Sequence, residues 1–251
     1  GQSNTSVGSN ALFSNTTASY NTAVGYQAAY SNTTGSNLFA FGANTLRSNT
    51  TGNNNAAISG LYSNTTGSNN TGLGMQALNA NTTASNNVAV GYRASYSSTT
   101  ANDNVTVGMD AFYNGTTGSD NVLIGHRAGY NHSSGSNNVG IGYDALLQNT
   151  TASNNTAVGY QAGYDNTTGT NLVLMGVDSG ANNTTGQGNT FLGRASGLLN
   201  TTGSYNCFVG QSASSGYASG YLMTTGSKNT ILGAYNGNQG GLDIRTASNN
   251  V

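Results

Sequence analysis

The chain has 251 residues, a net charge of −1 and only 5% charged residues. This composition lacks the basic footprint of a nucleic-acid-binding protein, and the sequence contains neither a polybasic membrane-surface segment nor an apolar run long enough to cross a bilayer. Glycine contributes 37 residues, and proline and tryptophan are absent. Such residues in random order would predict disorder, so the order of the residues decides the fold class.

The whole sequence repeats with a period of 17. The repeat is marked by an apolar residue followed by glycine, as in Val7-Gly8, Val24-Gly25 and Phe41-Gly42. We number the glycine as slot 1, so that the consensus coil reads G-Y-Q-A-G-Y-S-N-T-T-G-S-N-N-T-A-V. A fixed period of this kind is typical of solenoids, in which stacked units bury a face that one unit cannot bury alone.

The alternation of residue types from slot 15 to slot 4 predicts one β-strand in each coil. Slots 15, 17, 2 and 4 carry Thr or Val, an aliphatic residue, Tyr or Met, and Ala, whereas slots 16, 1 and 3 carry Ala, Gly and a polar residue. A period of two is expected of a half-buried strand. Slot 17 is apolar in all fourteen coils and is the expected apolar row of the stack. The run N-T-T-G-S-N in slots 8–13 predicts a corner.

These patterns predict an all-β fold, a parallel β-solenoid or β-roll of about 14 coils that each span one period of the repeat. At about 4.8 Å per coil, the stack would form a rod of about 65 Å. We expect one continuous repeat domain over residues 1–251, with a short coil near 60–74, an insertion near 212–224 and an irregular end at 234–247. Because the sequence starts and stops within a coil, we expect a segment of a longer polypeptide or a subunit of a filament.

Stacking in register would turn every slot into a column of side chains. Slot 14 is Asn in twelve coils, which predicts a ladder of side-chain amides along the stack. The ladder is expected to include Asn21, Asn87, Asn104, Asn121, Asn138 and Asn155. Slot 3 reads Arg, Asp, Arg, Asp at positions 93, 110, 127 and 144, an order that places opposite charges on neighbouring coils.

The sequence contains no catalytic, metal-binding or cofactor-binding constellation, so we expect no enzyme activity and no cofactor. His126 in slot 2 and His132 in slot 8 would lie on different sides of the coil, and the repeat places no carboxylate to orient either ring. The single Cys207 has no partner for a disulfide and no spacing typical of a metal site. The glycine motifs recur with the period, which indicates a product of the repeat and not a phosphate loop.

Asn-Thr-Thr tripeptides recur in slots 8–10 and match the acceptor pattern for N-glycosylation. The candidate acceptors are Asn15, Asn32, Asn49, Asn64, Asn81, Asn149, Asn166, Asn183 and Asn200. The alternative interpretation is that Asn suits a corner that precedes a column of Thr. Stacked Thr residues also raise the hypothesis of an ice-binding face, although the adjacent Thr16 and Thr17 would point to opposite sides of an extended segment.

Several strand segments resemble the head repeats of YadA-like trimeric autotransporter adhesins, and equally the repeats of bacterial and phage tail-fibre-type proteins. The segments are N-T-A-V-G-Y-Q-A (Asn21–Ala28 and Asn155–Ala162), N-N-V-A-V-G-Y-R-A (Asn86–Ala94) and N-N-V-G-I-G-Y-D-A (Asn137–Ala145). The resemblance implies a left-handed β-roll, three chains side by side, an extracellular location and a role in adhesion. The period here is 17 against the usual 14 of that family, and the added residues lie in the N-T-T-G segment.

We therefore expect an extracellular structural or adhesive fibre, located at a cell surface or a virion surface. A phage tail-fibre shaft that presents a receptor-binding tip is the alternative, and an ice- or glycan-binding solenoid is a second alternative. The expected partners are other copies of the chain, as a homotrimer or filament neighbours, and a cell-surface glycan or protein receptor. We expect no nucleic acid and no membrane insertion in this segment. The tyrosines of slots 2 and 6 would cover the contact between chains, because Tyr is favoured at interfaces.

Overall fold

The computed structural model describes residues 1–211, 218–239 and 242–250, and these residues form an all-β structure. Each coil contributes one strand of three residues, in slots 15–17. The chain divides into two compact units, unit 1 from Gly1 to Asp120 and unit 2 from Asn121 to Val251. The predicted fold class, a parallel β-solenoid with a period of 17, is confirmed in both units.

Unit 1, which is described throughout, holds seven strands that pair in parallel and in chain order. They are β1 (Thr5–Val7), β2 (Thr22–Val24), β3 (Phe39–Phe41), β4 (Ala56–Ile58), β5 (Thr71–Leu73), β6 (Val88–Val90) and β7 (Val105–Val107). Residues of the same slot lie opposite each other, so that Thr5 pairs with Thr22 and Val7 with Val24. This register turns each slot into a column, as the repeat predicted.

The described part of unit 2 repeats the arrangement. Its parallel strands are β8 (Val122–Ile124), β9 (Val139–Ile141), β10 (Thr156–Val158), β11 (Val173–Met175), β12 (Thr190–Leu192), β13 (Cys207–Val209) and β14 (Thr230–Leu232). A short antiparallel pair, β15 (Asn238–Gln239) and β16 (Leu242–Asp243), follows the last parallel strand.

Three coils in the described ranges depart from the common length, among them the last, in which Asn229 bonds to Asn250, 21 residues on. Ile58 pairs with Leu73, 15 residues on, because the corner after β4 is two residues short. Val209 pairs with Leu232, 23 residues on, so the predicted insertion near 212–224 belongs to this coil, and its residues 212–217 lie outside the described residues. The predicted irregular end at 234–247 contains the antiparallel pair, and residues 240–241 within it also lie outside the described ranges.

The strand ends at slot 17, so the predicted extension of the strand to slot 4 is wrong. Slot 1 glycines such as Gly91 have a φ of 133°, and a Cβ there would lie 2.5 Å from the carbonyl oxygen of Gly108 in the next coil. Only glycine tolerates this conformation and this close approach. Slots 3 and 5 then adopt the left-handed region, as at Arg93 (φ 53°) and Ser95 (φ 52°), and they form a second corner.

The interior is lined by slot 16 and not by slot 17, so the predicted apolar face of the strand is the outer face. Ala157 and Leu174 in slot 16 are fully buried, whereas Met175 in slot 17 is 45% exposed. Slots 4, 5, 8, 11 and 14 also point inward in most coils. Most buried apolar residues are alanines. A coil this short encloses little space, so slot 16 carries Ala in several coils and a single larger side chain, such as Leu174 or Phe208, in others.

The side chains of slots 16 and 5 fill the interior together: where one slot carries a large side chain, the other carries a small one. Leu46 in slot 5 accompanies Ala40 in slot 16, whereas Phe208 in slot 16 accompanies Gly220 in slot 5. A Cβ on Gly220 would contact the Phe208 ring. Phe208 also stacks on Phe191 with ring centroids 4.9 Å apart. The exchange of large and small residues keeps the narrow interior filled, as close packing requires.

The assignment of the interior is tested by truncating two adjacent residues of β11. Leu174→Ala should lower the free energy of unfolding by about 2–5 kcal/mol, because it removes a fully buried side chain from a packed interior. Met175→Ala, on the outer face, should cost less than about 1 kcal/mol. Urea denaturation followed by circular dichroism measures both. Equal losses would contradict the inward orientation of slot 16.

Candidate interaction surface

A column of buried asparagines in slot 14 ties each coil to the next. The Oδ1 of Asn155 accepts the backbone N–H of Leu172 at 3.0 Å, and its Nδ2 donates to the carbonyl oxygen of Gly169 at 3.0 Å. Direct amide pairs also form, since Asn138 Nδ2 donates to Asn121 Oδ1 at 3.1 Å. All six predicted members are buried, namely Asn21, Asn87, Asn104, Asn121, Asn138 and Asn155. The predicted asparagine ladder is confirmed.

A second column of buried asparagines, not predicted from the sequence as a ladder, occupies slot 8. Asn183 Nδ2 donates to Asn166 Oδ1 at 2.9 Å, and Asn200 Nδ2 donates to Asn183 Oδ1 at 2.8 Å. The two columns meet at the carbonyl oxygens of slot 11. Gly203 O accepts from Asn200 Nδ2 at 3.0 Å and from Asn189, which occupies slot 14, at 2.7 Å.

The slot 8 asparagines are also the candidate glycosylation acceptors. Asn15 is half-buried, and the other eight are fully buried, namely Asn32, Asn49, Asn64, Asn81, Asn149, Asn166, Asn183 and Asn200. A glycan would replace an amide hydrogen, and the amide nitrogen of Asn183 is already used in two hydrogen bonds. Glycosylation of these asparagines stays a prediction. Because the folded coils bury the acceptor amides, a glycan would have to be attached before the coils form.

His132 takes the place of an asparagine in slot 8. Its Nε2 lies 2.7 Å from the carbonyl oxygen of Gly135, and its Nδ1 lies 2.9 Å from Asn149 Nδ2. The amide donates to Nδ1, so the neutral ring carries its proton on Nε2. Burial lowers the pKa of His132 to about 4. His126 is half-buried in slot 2, so the two imidazoles lie on different sides of the coil.

The outer face of each sheet is apolar and exposed. We define the outer sheet face as the side chains of slots 15, 17 and 2. Its exposed apolar members are Val7, Tyr26, Phe39, Phe41, Ile58, Met75, Tyr92 and Met109 in unit 1, and Ile141, Tyr143, Tyr160, Met175, Val177 and Leu232 in unit 2. Seven strands about 4.8 Å apart and three to four residues about 3.3 Å apart give a face of about 30 by 12 Å in one unit. Apolar patches of several hundred Å² mark interaction surfaces.

Aromatic residues in and beside the outer sheet face stack along the columns. In slot 2 the ring centroids of His126 and Tyr143 lie 4.9 Å apart, and those of Tyr143 and Tyr160 lie 5.5 Å apart. In slot 6, Tyr96 stacks on Tyr113 at 5.1 Å. Neighbours cover both faces of the Tyr143 ring, so its edge and hydroxyl face outward. A protein surface can pack against such edges, whereas stacking of a sugar needs a free ring face.

Ion pairs flank the outer sheet face in slot 3. Arg93 contacts both carboxylate oxygens of Asp110 at 2.8 and 3.0 Å, and Arg127 contacts both oxygens of Asp144 at 2.8 and 2.6 Å. The Asp144 side chain is only 2% exposed, against 37% for Arg127. The hydrogen bond to Asp144 raises the pKa of the Arg127 guanidinium above its ordinary value. The alternation of charge read from the sequence therefore forms an ion pair in each unit.

The two Thr columns differ in exposure. In slot 9, Thr167 Oγ1 donates to the carbonyl oxygen of Thr184, and Thr184 Oγ1 donates to that of Thr201, each at 3.0 Å. The slot 10 neighbours Thr168 and Thr185 are exposed. Of the two columns, slot 10 faces solvent and slot 9 binds the next coil.

Side chains that could act in catalysis or metal binding are scattered over the described residues. Within the described ranges, no cluster of three or more His, Cys, Asp or Glu residues has the geometry to hold a metal ion. The described residues also include no helix of the length and apolarity needed to span a membrane. A cavity of about 470 Å³ beside β14 is lined by Thr230, Ile231, Leu232, Tyr235, Ile244, Asn249 and Asn250. That lining includes no carboxylate, imidazole, thiol or amine.

Comparisons with protein-family models, curated proteins and solved structures gave no match to this chain. The surface is therefore interpreted from its own geometry.

The slot 8 ladder is tested by Asn183→Ala. The change removes three hydrogen bonds of a buried amide and leaves partners in two neighbouring coils unsatisfied, so it should cost about 2–4 kcal/mol. Thr185→Ala, in the same coil but exposed, should change the stability by less than about 0.5 kcal/mol. Denaturant midpoints measure the difference, and a neutral Asn183→Ala would refute a stabilising ladder in slot 8.

The buried ion pair is tested by Asp144→Asn. This change leaves Arg127 without a carboxylate and should destabilise the protein by about 1–3 kcal/mol. Asp165→Asn is the matched control, because burial raises the pKa of Asp165 and a neutral amide should be tolerated there. Both variants are compared with the parent by chemical denaturation at pH 7. Identical stability of all three proteins would show that the pair contributes nothing.

Proposed function

We propose that this chain is the non-catalytic, repetitive rod of an extracellular structural or adhesive fibre, and that copies of the chain associate through the outer sheet face. The observation that carries the proposal is the exposure of apolar side chains on an in-register sheet, in every coil from Val7 to Met109 in unit 1 and from Ile141 to Val177 and again at Leu232 in unit 2. Water contact with so many apolar side chains is unfavourable.

The use of polar groups inside the coils supports a structural role. Buried amides bind neighbouring coils, and the slot 9 hydroxyls bind the carbonyl oxygens of the next coil. The groups exposed toward a partner are the apolar columns, the slot 2 tyrosines such as Tyr160 and the slot 10 threonines. A surface of this kind suits packing against another protein surface better than acid–base chemistry.

Another copy of the chain suits the outer sheet face because its columns have the same spacing. Side chains that repeat once per coil on both partners can interdigitate along many coils. The face is almost free of charge, with Arg194 as its exposed cation in the described part of unit 2. Depletion of charge at the centre of a patch is typical of stable interfaces. Three copies side by side is the arrangement that the resemblance to trimeric adhesin heads implies.

A phage tail-fibre shaft is the alternative within the same proposal, because the repeat resembles both groups equally. If the chain is a segment of a longer polypeptide, the adjoining sequence would distinguish them. A membrane-anchor barrel would favour the adhesin, and a baseplate-attachment domain would favour the phage fibre. The second alternative is binding of ice or glycans by the exposed slot 10 threonines. It is tested by measuring thermal hysteresis and glycan-array binding of the isolated rod.

Self-association is tested by placing a charge in the outer sheet face. Met175→Glu should shift the assembly toward the monomer, because the carboxylate would be buried without a partner in the interface. Thr185→Glu, exposed on another side of the coil, should leave the assembly unchanged. Light scattering coupled to gel filtration gives the mass as a multiple of 25.3 kDa, and cryo-EM gives the arrangement of the copies. A parent protein that stays monomeric would overturn the proposal.

A further inference from the structure

His132 begins a directional chain of hydrogen bonds in slot 8 of unit 2. The four following coils carry Asn149, Asn166, Asn183 and Asn200 in this slot, and in each step the later amide donates to the earlier residue. The first donor, Asn149 Nδ2, points at His132 Nδ1. A neutral imidazole with a proton on Nε2 supplies one donor and one acceptor, which are the two functions that an asparagine supplies at the same place.

A second proton on His132 would leave the ring with two donors and no acceptor. The new N–H at Nδ1 would then face the donating amide of Asn149. A flip of the Asn149 amide, which exchanges its oxygen and nitrogen, would present the oxygen to His132. The same flip would remove its donation to Ala152 O and its acceptance from Asn166 Nδ2. The flip therefore restores one hydrogen bond and removes two, and each unmade buried bond is costly.

The interior of unit 2 next to His132 is formed by apolar and amide side chains. The inward-facing side chains of its own coil and the next are Leu123, Asn138, Leu146 and Asn149, and none of them titrates. Transfer of a charge from water into an interior of this composition is unfavourable.

The titratable groups of these coils other than His132 are engaged with one another beside the outer sheet face, although the Asp144 carboxylate is itself buried. Arg127 pairs with Asp144, and His126 stacks on Tyr143. Tyr130 is half-buried in slot 6.

In the coil that precedes His132 in the chain, the carboxylate of Asp110 is buried and engaged in an ion pair. Asp110 pairs with Arg93, Tyr113 stacks on Tyr96, and Asp120 is exposed.

We propose that His132 makes unit 2 acid-sensitive, because uptake of a proton breaks the slot 8 column at its first residue and opens the coils that carry β8 and β9. The low pKa of His132, about 4 against 6.5 for an exposed imidazole, agrees with this geometry. The unfolded chain binds the proton more tightly than the folded chain. The stability is therefore complete above pH 6.5 and is lost as the pH falls through 4. Over this window the equilibrium constant for opening rises by up to about 300-fold.

The test compares the parent with His132→Asn, which restores the residue of the neighbouring coils, and with His126→Asn as the matched control. Urea midpoints are measured at pH 7.5, 6.5, 5.5 and 4.5. The parent and His126→Asn should lose stability toward pH 4.5, and His132→Asn should lose much less. Effects of the aspartates are common to all three proteins and cancel in the comparison. Equal acid dependence of the parent and His132→Asn would overturn the proposal.

Two measurements on the parent alone keep the proposal testable if a variant does not fold. NMR of the imidazole nitrogens should show the Nε2–H tautomer for His132 and no titration above pH 5. A ring that titrates near pH 6.5 would refute the proposal. Limited proteolysis at pH 4.5 should cut within residues 121–149 before it cuts the later coils, and first cleavage elsewhere in unit 2 would also refute it.

Discussion

The fold depends on the sharing of one backbone carbonyl by two buried side-chain amides. In slot 11 the oxygen of Gly203 accepts from Asn200 of its own coil and from Asn189 of the coil before, and the same arrangement recurs at Gly169 with Asn166 and Asn155. Both lone pairs of a buried oxygen are then satisfied. Because the amides also bind one another, a coil with a thin apolar interior is tied to its neighbours at several points.

Occupation of the interior by amides explains why the bulky aliphatic residues lie outside. The space left for apolar groups is filled by slot 4 alanines and by one larger side chain shared between slots 16 and 5, such as Leu46 or Phe208. Val, Ile, Leu and Met of slot 17 have no room inside, so they line the outer sheet face. The surface that we assign to self-association is in this sense a consequence of the buried amides.

The sequence predicted the period, the in-register parallel strands and the slot 14 ladder, because all three depend only on recurrence along the chain. It misplaced the interior, because both faces of a three-residue strand such as Thr156–Val158 carry apolar residues and the bulkier face is the outer one. The pairing of Phe208 with Gly220 and of Leu46 with Ala40 was the available signal for slots 16 and 5. In slot 8 the asparagines match a glycosylation motif, and the buried ladder that they form was not predicted. The available signal was the spacing of three between the inward-facing slots 8, 11 and 14.

The side chain in slot 8 must supply a donor and an acceptor in fixed directions, and this requirement locates the weak points of the rod. His132 meets it only as a neutral ring. Ser98 does not meet it, and in the described part of the chain its hydroxyl and the Oδ1 of Asn81 are both buried without a hydrogen-bond partner. Asn200 Oδ1 is also buried without a hydrogen-bond partner, and the next coil carries Met223 in slot 8. Such unsatisfied atoms favour local opening, so we expect the coils at Asn81 and at Asn200 to separate before those in the middle of each asparagine run.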